Sequence, residues 1–345
     1  MKRHGIGVIG YGVWGTHSLQ EILLRQEGVE MVGVSSHDRW GECQFGDTVA
    51  AGRKYAGEKG CAFWEDWEKV VEDPSVDIVS VMTSPVSKLE VVLAALERGK
   101  SVVMDKPLAM NAEGARRMVK AEKESRGVGM VLCGHQYGRP CEKLGELIGE
   151  GRLGELRHVD SWLYFMGGIY PGFRPTERYR SEVPGGELTV IGTHAIQTVL
   201  AVAGRRPVEV RCRIGQRFYE EYAAVGYEDW AELLLTLEGG VTAGVSVGRL
   251  PHKLERQLPL LEVSGTRGYA VVEGEELMVW PGEETFAFEE SQQERYDRLF
   301  GDFLRAVETG EESPIGFEDL YQVQRVLDAG YAGAKTGKTV RLEEE

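Results

Sequence analysis

Two residues in this chain have types and settings that could do chemistry on an alcohol. Lys106 directly follows the apolar run Val102-Val103-Met104-Asp105 and is followed at once by Pro107. An ammonium group at the carboxyl end of a buried strand can orient a hydroxyl and stabilise the alkoxide that develops on it. His194 sits within "GGELTVIGTHAIQTVLAVAG", residues 185–204, where nearly every neighbour is small or apolar. An imidazole titrates near neutrality, so it can take the proton of such a hydroxyl or return it. Both residues have plainer readings. A loop lysine is usually a surface charge, and a histidine among apolar residues is usually a hydrogen-bonded core residue.

A third group points to what would share the work. Gly10, Gly12 and Gly15 form G-x-G-x-x-G, directly after the run "HGIGVIG" and before a helical pattern. That context marks a dinucleotide-binding turn. The first glycine makes the tight turn, the second lets the backbone approach a pyrophosphate, and the third lets helix and strand pack closely. The helix N-terminus adds N–H groups and a positive dipole for the phosphates. The second strand would end in an acid if the ribose carried a free 2′-hydroxyl. Here the strand end reads Val34-Ser35-Ser36-His37-Asp38-Arg39. Ser36 in the acid's place, with His37 and Arg39 next to it, suits a 2′-phosphate, so NADP is expected ahead of NAD. Asp38 remains an alternative partner for a ribose.

The elements that must position these groups follow from the periodicity. Short apolar runs ("VEMVGVSS", "VDIVSVMTS", "SVVMDKP", "VGMVLCGHQ") alternate with helical patterns over the first third of the chain. Such alternation predicts an α/β fold, a doubly wound parallel sheet covered on both faces. "FWEDWEKVVED" reads as a helix closed by Pro74, and "GTHSLQEILLRQEG" as a helix running to Gly28. The pattern then changes to longer strands with hairpin-like breaks, which predicts an α+β part with a largely antiparallel open sheet. The expected division is a dinucleotide-binding domain over residues 1–130 and a substrate-binding and oligomerisation domain over 131–345, with the last helix free to pack back on the first.

Composition narrows the classes. The chain has 345 residues, 42% of them hydrophobic and 28% charged, with a net charge of −15 and no basic stripe, so neither nucleic acid nor an anionic membrane is an expected partner. No run is long and apolar enough to predict a transmembrane helix. Five cysteines without a C-x-x-C pair predict free thiols in a reducing compartment, the cytoplasm. Cys133, His135 and Cys141 lack a second pair at zinc spacing, so no metal is expected.

Taken in order along the chain, these motifs resemble the glucose–fructose oxidoreductase / inositol dehydrogenase / MocA family (Gfo/Idh/MocA). The glycine motif, "AALERGKSVVMDKPLAMNAEGARRMV", "ELIGEGRLGELRHV", "PGGELTVIGTHAI" and "GKTVRL" carry the resemblance over essentially the whole length. It implies an NAD(P)-dependent hydride transfer at a secondary hydroxyl of a sugar, glycoside or polyol, by a cytoplasmic homodimer or homotetramer. Lys106 matches the family's catalytic lysine and His194 its histidine. The resemblance also places Val13, Trp14, Thr83, Ser84, Pro85 and Asp105 at the cofactor. Gln136 and Tyr137 would face the substrate. The Gly- and Pro-rich loop "YFMGGIYPGFRPTERYRSEVPGG" reads by its composition as a substrate lip, with Tyr164, Arg174, Tyr179 and Arg180 among its aromatics and arginines. The aromatics of that lip either stack on a sugar ring or only fasten a long loop.

Three departures stand out. The acid often found four residues before the histidine is Val190. The segment usually written T-P-N-x-x-H reads "TSPVSK", with Lys88 in the histidine's place. Gln136 stands where arginine is common. Two other uses of the same framework are therefore kept. One is a redox-initiated cleavage of a glycoside with retained cofactor, and the other is a non-catalytic regulator that senses dinucleotide.

Overall fold

The computed structural model describes residues 3–12, 16–36, 47–133, 137–166, 185–252 and 260–343, the side chains of 16–19 excepted. The chain divides into two compact units, Met1–Leu132 with Gln292–Tyr321, and Cys133–Ser291 with Gln322–Glu345.

The first unit is built on six parallel strands: β1 (His4–Ile9), β2 (Val29–Ser35), β3 (Ala62–Trp64), β4 (Ile78–Val81), β5 (Ser101–Asp105) and β6 (Gly129–Leu132). Their order is β3-β2-β1-β4-β5-β6. Val8, Ile78, Val79, Val81, Val102 and Val103 are completely buried, as strands covered on both faces require. The chain starts in the middle, builds to one edge, and crosses back to β4 on the other side of β1. Connections therefore leave β1 and β4 in opposite directions, and a crevice opens at their carboxyl ends.

Local chemistry sets the helices. Asp47 caps Thr48–Lys59 by accepting from the Ala50 N–H at 2.8 Å, and Gly60 ends it in the left-handed region. Asn111 does the same for Ala112–Glu124, accepting from Gly114 N–H at 2.9 Å. Pro85 opens Pro85–Glu97, where its missing N–H costs nothing. Two expectations are corrected here. The stretch from Phe63 is not one helix: Ala62–Trp64 is strand β3, and only Glu68–Glu72 is helical. Pairing with β2 decides this, because Gly33 leaves room for the Trp64 ring, which a side chain at 33 would meet at 2.3 Å. The first helix, Thr16–Leu23, stops short of Gly28 and is followed by turns.

Helix Gln292–Thr309 and the first turn of Phe317–Thr336 complete this unit, with Phe300, Phe303 and Phe317 buried. Beneath them Glu122 accepts from the Gly129 N–H at 2.7 Å. Burial pushes its carboxyl up from 4.5 to about 7, opposed by that hydrogen bond. The folded carboxyl thus holds its proton to higher pH than the unfolded one. Its contribution to stability is full below 4.5 and is lost as pH rises through about 7. Glu122→Gln keeps an acceptor for Gly129. In denaturant titrations it is expected to be more stable than wild type above neutral pH and to lose this part of the decline.

The second unit carries a nine-stranded sheet of order β14-β13-β12-β11-β7-β10-β9-β8-β15. The strands are β7 (Leu156–Met166), β8 (Pro207–Gly215), β9 (Trp230–Leu237), β10 (Thr242–Leu250), β11 (Leu260–Gly265), β12 (Tyr269–Glu273), β13 (Glu276–Trp280), β14 (Glu284–Ala287) and β15 (Val340–Arg341). All pairs are antiparallel except β7 with β10. One face is apolar and buried, with Val159 and Leu163 of β7, Leu233 and Leu235 of β9, and Val245 and Val247 of β10. Helix Gly192–Ala203 packs on that face: a side-chain carbon at Gly192 would lie 3.6 Å from Val247. Alternate residues point to the other face, where Leu234 is 55% exposed.

Candidate active site

In the first unit the described residues among those predicted for the cofactor lie at the ends of the strands that border the crevice. Gly10 follows β1 with φ +93°, and any side-chain carbon there would meet the Met82 carbonyl oxygen at 2.6 Å. The Gly10 N–H donates to Ser35 and the Met82 N–H to Ile9, both at 2.8 Å, so the backbone stays paired past the strand ends. At Gly12, among the described residues, nothing lies within 4 Å of where a side chain would start. Thr83 and Ser84 follow β4, and among the described residues neither of their buried hydroxyls has a hydrogen-bond partner. Ser84 precedes Pro85 at the N-terminus of Pro85–Glu97 without capping it. Open backbone beside orphaned hydroxyls at a helix start fits the phosphates and ribose of a dinucleotide. At the end of β2, Ser36 donates to the Thr48 hydroxyl at 3.2 Å. Val13, Trp14, Gly15, His37 and Arg39 lie outside the described residues.

Lys106 follows β5, and its N–H donates to the Asp105 carboxylate at 2.9 Å. The loop is fastened from beneath by Lys88. This side chain is 1% exposed, yet its Nζ donates to the carbonyl of Asp105 at 2.5 Å and to that of Pro107 at 2.9 Å. The two acceptors are the residues on either side of Lys106. Burial lowers the Lys88 ammonium from 10.5 to about 8, with Asp105 acting the other way and Lys106 adding to the fall.

In the second unit the "GGELTVIGTHAIQ" stretch forms two helices, Glu187–Val190 and Gly192–Ala203, broken at Ile191. Thr193 and His194 fall in the first turn of the second piece, the Thr193 hydroxyl donating to the Thr189 carbonyl at 2.6 Å. His194 is half-buried, and its Nδ1 lies 3.3 Å from Cys133 Sγ. Val190, one turn earlier, offers no polar group.

A buried polar network fixes the entry to this helix. A side-chain carbon at Gly186 would lie 2.2 Å from the Glu228 carbonyl oxygen, so only glycine fits. The Glu228 carboxylate accepts from the Leu188 N–H at 3.0 Å and the Tyr331 hydroxyl at 2.7 Å. Burial raises its pKa, and those donors oppose the rise. Glu187 accepts from Arg249 Nε at 2.6 Å and from the Tyr222 hydroxyl, with all three side chains buried. Removing one member of a buried ion pair strands the other. Arg249→Met is therefore expected to lower unfolding free energy by about 3–5 kcal/mol. A denaturation midpoint unchanged from wild type would contradict it.

The remaining substrate predictions separate. Tyr164 lies on β7 facing away from helix Gly192–Ala203, and its hydroxyl bonds Ser246 on that far face at 2.5 Å, so it does not join His194. Tyr137 is half-buried in the turn before helix Arg139–Gly149. Gln136, Arg174, Tyr179 and Arg180 lie outside the described residues. Sequence reasoning assigned no role to Lys88 or Cys133. A lysine within the apolar helix face that also holds Val91, Val92 and Ala95 was the available signal for the first. None marked the second. Among the described residues no cluster of histidine, cysteine or carboxylate is placed to hold a metal, and no helix is long and apolar enough to cross a membrane.

Comparison with known proteins agrees with the fold. Residues 4–133 match the model of an oxidoreductase family with an NAD-binding Rossmann fold, and residues 141–271 match that of a GFO/IDH/MocA C-terminal domain. The chain is 29% identical over 206 residues to a trans-1,2-dihydrobenzene-1,2-diol dehydrogenase of Bos taurus, covering 59% of this chain and 57% of the relative. It is 33% identical over 190 residues to a 1,5-anhydro-D-fructose reductase of Ensifer adhaerens, covering 54% and 53%. The aligned region thus spans less than two thirds of either relative's length. In fold it is similar over 100% of both chains to a levoglucosan dehydrogenase solved in complex with NADH, with a TM-score of 0.86 and 20% identity.

Proposed function

Since the chain belongs to the Gfo/Idh/MocA oxidoreductase family, we propose that it is an NAD(P)-dependent dehydrogenase acting on a secondary hydroxyl of a sugar, glycoside or polyol. One observation carries the reading. The strand ends of the first unit line up open glycine backbone after β1, orphaned hydroxyls after β4 and a doubly fastened lysine loop after β5.

In this reading the backbone at Gly10 and Gly12 and the hydroxyls of Thr83 and Ser84 hold the dinucleotide, whose nicotinamide supplies the hydride acceptor. Lys106 donates to the substrate oxygen and stabilises it as its proton leaves. His194 takes that proton during oxidation and returns it during reduction. Gln136, Arg174, Tyr179 and Arg180 stay with the substrate as proposals of the same reading. The relatives' names support the hydroxyl class: one is a trans-1,2-dihydrobenzene-1,2-diol dehydrogenase and the other a 1,5-anhydro-D-fructose reductase. Among the described residues Cys61, Cys133, Cys141 and Cys212 form no disulfide, which supports a reducing compartment, the cytoplasm. A homodimer or homotetramer goes with the family reading.

For the cofactor, we infer NADP over NAD. Ser36 presents a hydroxyl where an acid would repel a 2′-phosphate, and Thr48 places a second hydroxyl beside it. His37 and Arg39 complete that proposal. Titration of the protein with NADPH and NADH separately tests it. NADPH is expected to bind at least about tenfold more tightly. Tighter NADH binding would reverse the cofactor preference, and binding of neither would overturn the dinucleotide reading.

A further inference from the structure

His194 has no carboxylate one helical turn before it, because that position is Val190. It has a sulfur instead. Cys133 is fully buried, and its Sγ lies 3.3 Å from His194 Nδ1 and 3.8 Å from the Thr193 carbonyl oxygen. We propose that Cys133 is a positioning residue for His194: its sulfur accepts a hydrogen bond from Nδ1–H, which leaves the lone pair of the neutral ring on Nε2.

Three points lead there. A carbonyl oxygen only accepts, so the proton able to face Thr193 is the thiol's own, and the sulfur lone pairs are then left for Nδ1–H. Turning the thiol proton toward Nδ1 would set sulfur lone pairs against the carbonyl oxygen. Next, both contacts lie in the first turn of helix Gly192–Ala203, so the sulfur is tied to the backbone that carries the ring as well as to the ring. Finally, the bond made by one imidazole nitrogen determines which tautomer the other presents. A thiol can therefore orient the ring as a carboxylate would, without adding a negative charge beside it. The buried cysteine is separated from the histidine by 61 positions in the chain, and no spacing rule connects them.

The ring's tautomer stands on this geometry alone. Its use in proton transfer rests on the dehydrogenase reading. The test is a long-range 15N–1H spectrum of the full chain carrying 15N-labelled histidine rings, with the His194 signals identified by their loss in His194→Asn. Neutral His194 is expected as the Nδ1–H form in wild type. Cys133→Ser should keep that form, because a hydroxyl oxygen can accept the same bond. Cys133→Val should move the tautomer ratio about tenfold toward Nε2–H, the worth of one hydrogen bond, while the other histidine signals stay in place. An Nε2–H ring in wild type overturns the proposal, and this needs no cysteine variant to fold. An unchanged ratio in folded Cys133→Val overturns it equally. If the spectra come out as expected while no hydroxyl substrate is turned over, the dehydrogenase reading fails and the tautomer assignment stands. Turnover with an Nε2–H wild-type ring gives the reverse.

Discussion

Turnover is expected to fall by about 10²–10⁴-fold when Lys106 is replaced by methionine or His194 by asparagine, with folding and dinucleotide binding retained. The two changes should differ in their pH dependence. Without His194 the proton must leave to water, so activity should recover in part as hydroxide concentration rises. Without Lys106 the developing alkoxide loses its donor, and no such recovery is expected. Neither change should unfold the protein. Lys106 follows a strand whose own pairing to β4 and β6 is untouched, and His194 is only half-buried. Steady-state rates across pH, beside thermal unfolding of each variant, check this. An active but unfolding-prone His194→Asn would show the histidine to be a core residue.

Lys88→Met is expected to act on the same step from a distance. Methionine fills much of the volume but gives nothing to the Asp105 and Pro107 carbonyls, which bracket Lys106. Each buried acceptor left unpaired costs about 1–3 kcal/mol, offset in part because the buried charge goes too. The larger effect is on placement. A shift of about 1 Å in a catalytic group can cost about 10²-fold in rate, so turnover should drop by that order with cofactor affinity little changed. Stability carries a signature of its own. The folded Lys88 loses its proton at about 8 and the unfolded one at 10.5, so its contribution to stability falls away as pH drops through about 8. Wild type should gain stability between those values, and Lys88→Met should lack that gain. Equal slopes and full activity in the variant would show the clamp to be dispensable.

Much of this was legible in the sequence because it depends on neighbours along the chain. Apolar runs of four or five residues separated by capped helices specify a parallel sheet, and a lysine after such a run lands at its carboxyl end. Gly10 announces its turn for the same reason. What was hidden depends on partners far apart. The Cys133 contact to His194 and the Tyr331 bond to Glu228, which spans 103 positions, leave no periodic trace. Strand β3 was misread because Phe63 and Trp64 suit either element until Gly33 opens space beside them. Tyr164 was assigned to the lip by composition, and the two-residue period of β7 turned it to the other face. The break at Ile191 was also concealed, since Leu188 and Ile191 keep one buried stripe across it.

The measurement that bears most directly on the central claim is formation of reduced nicotinamide when the full chain is incubated with NADP or NAD and a panel of cyclic polyols, sugars and glycosides. Reduced cofactor is expected to accumulate with at least one member of the panel. Its amount should match the carbonyl product, and the rate should collapse in Lys106→Met. Tight dinucleotide binding with no reduction by any member, in either cofactor, would contradict the dehydrogenase reading and leave a dinucleotide-binding protein in its place.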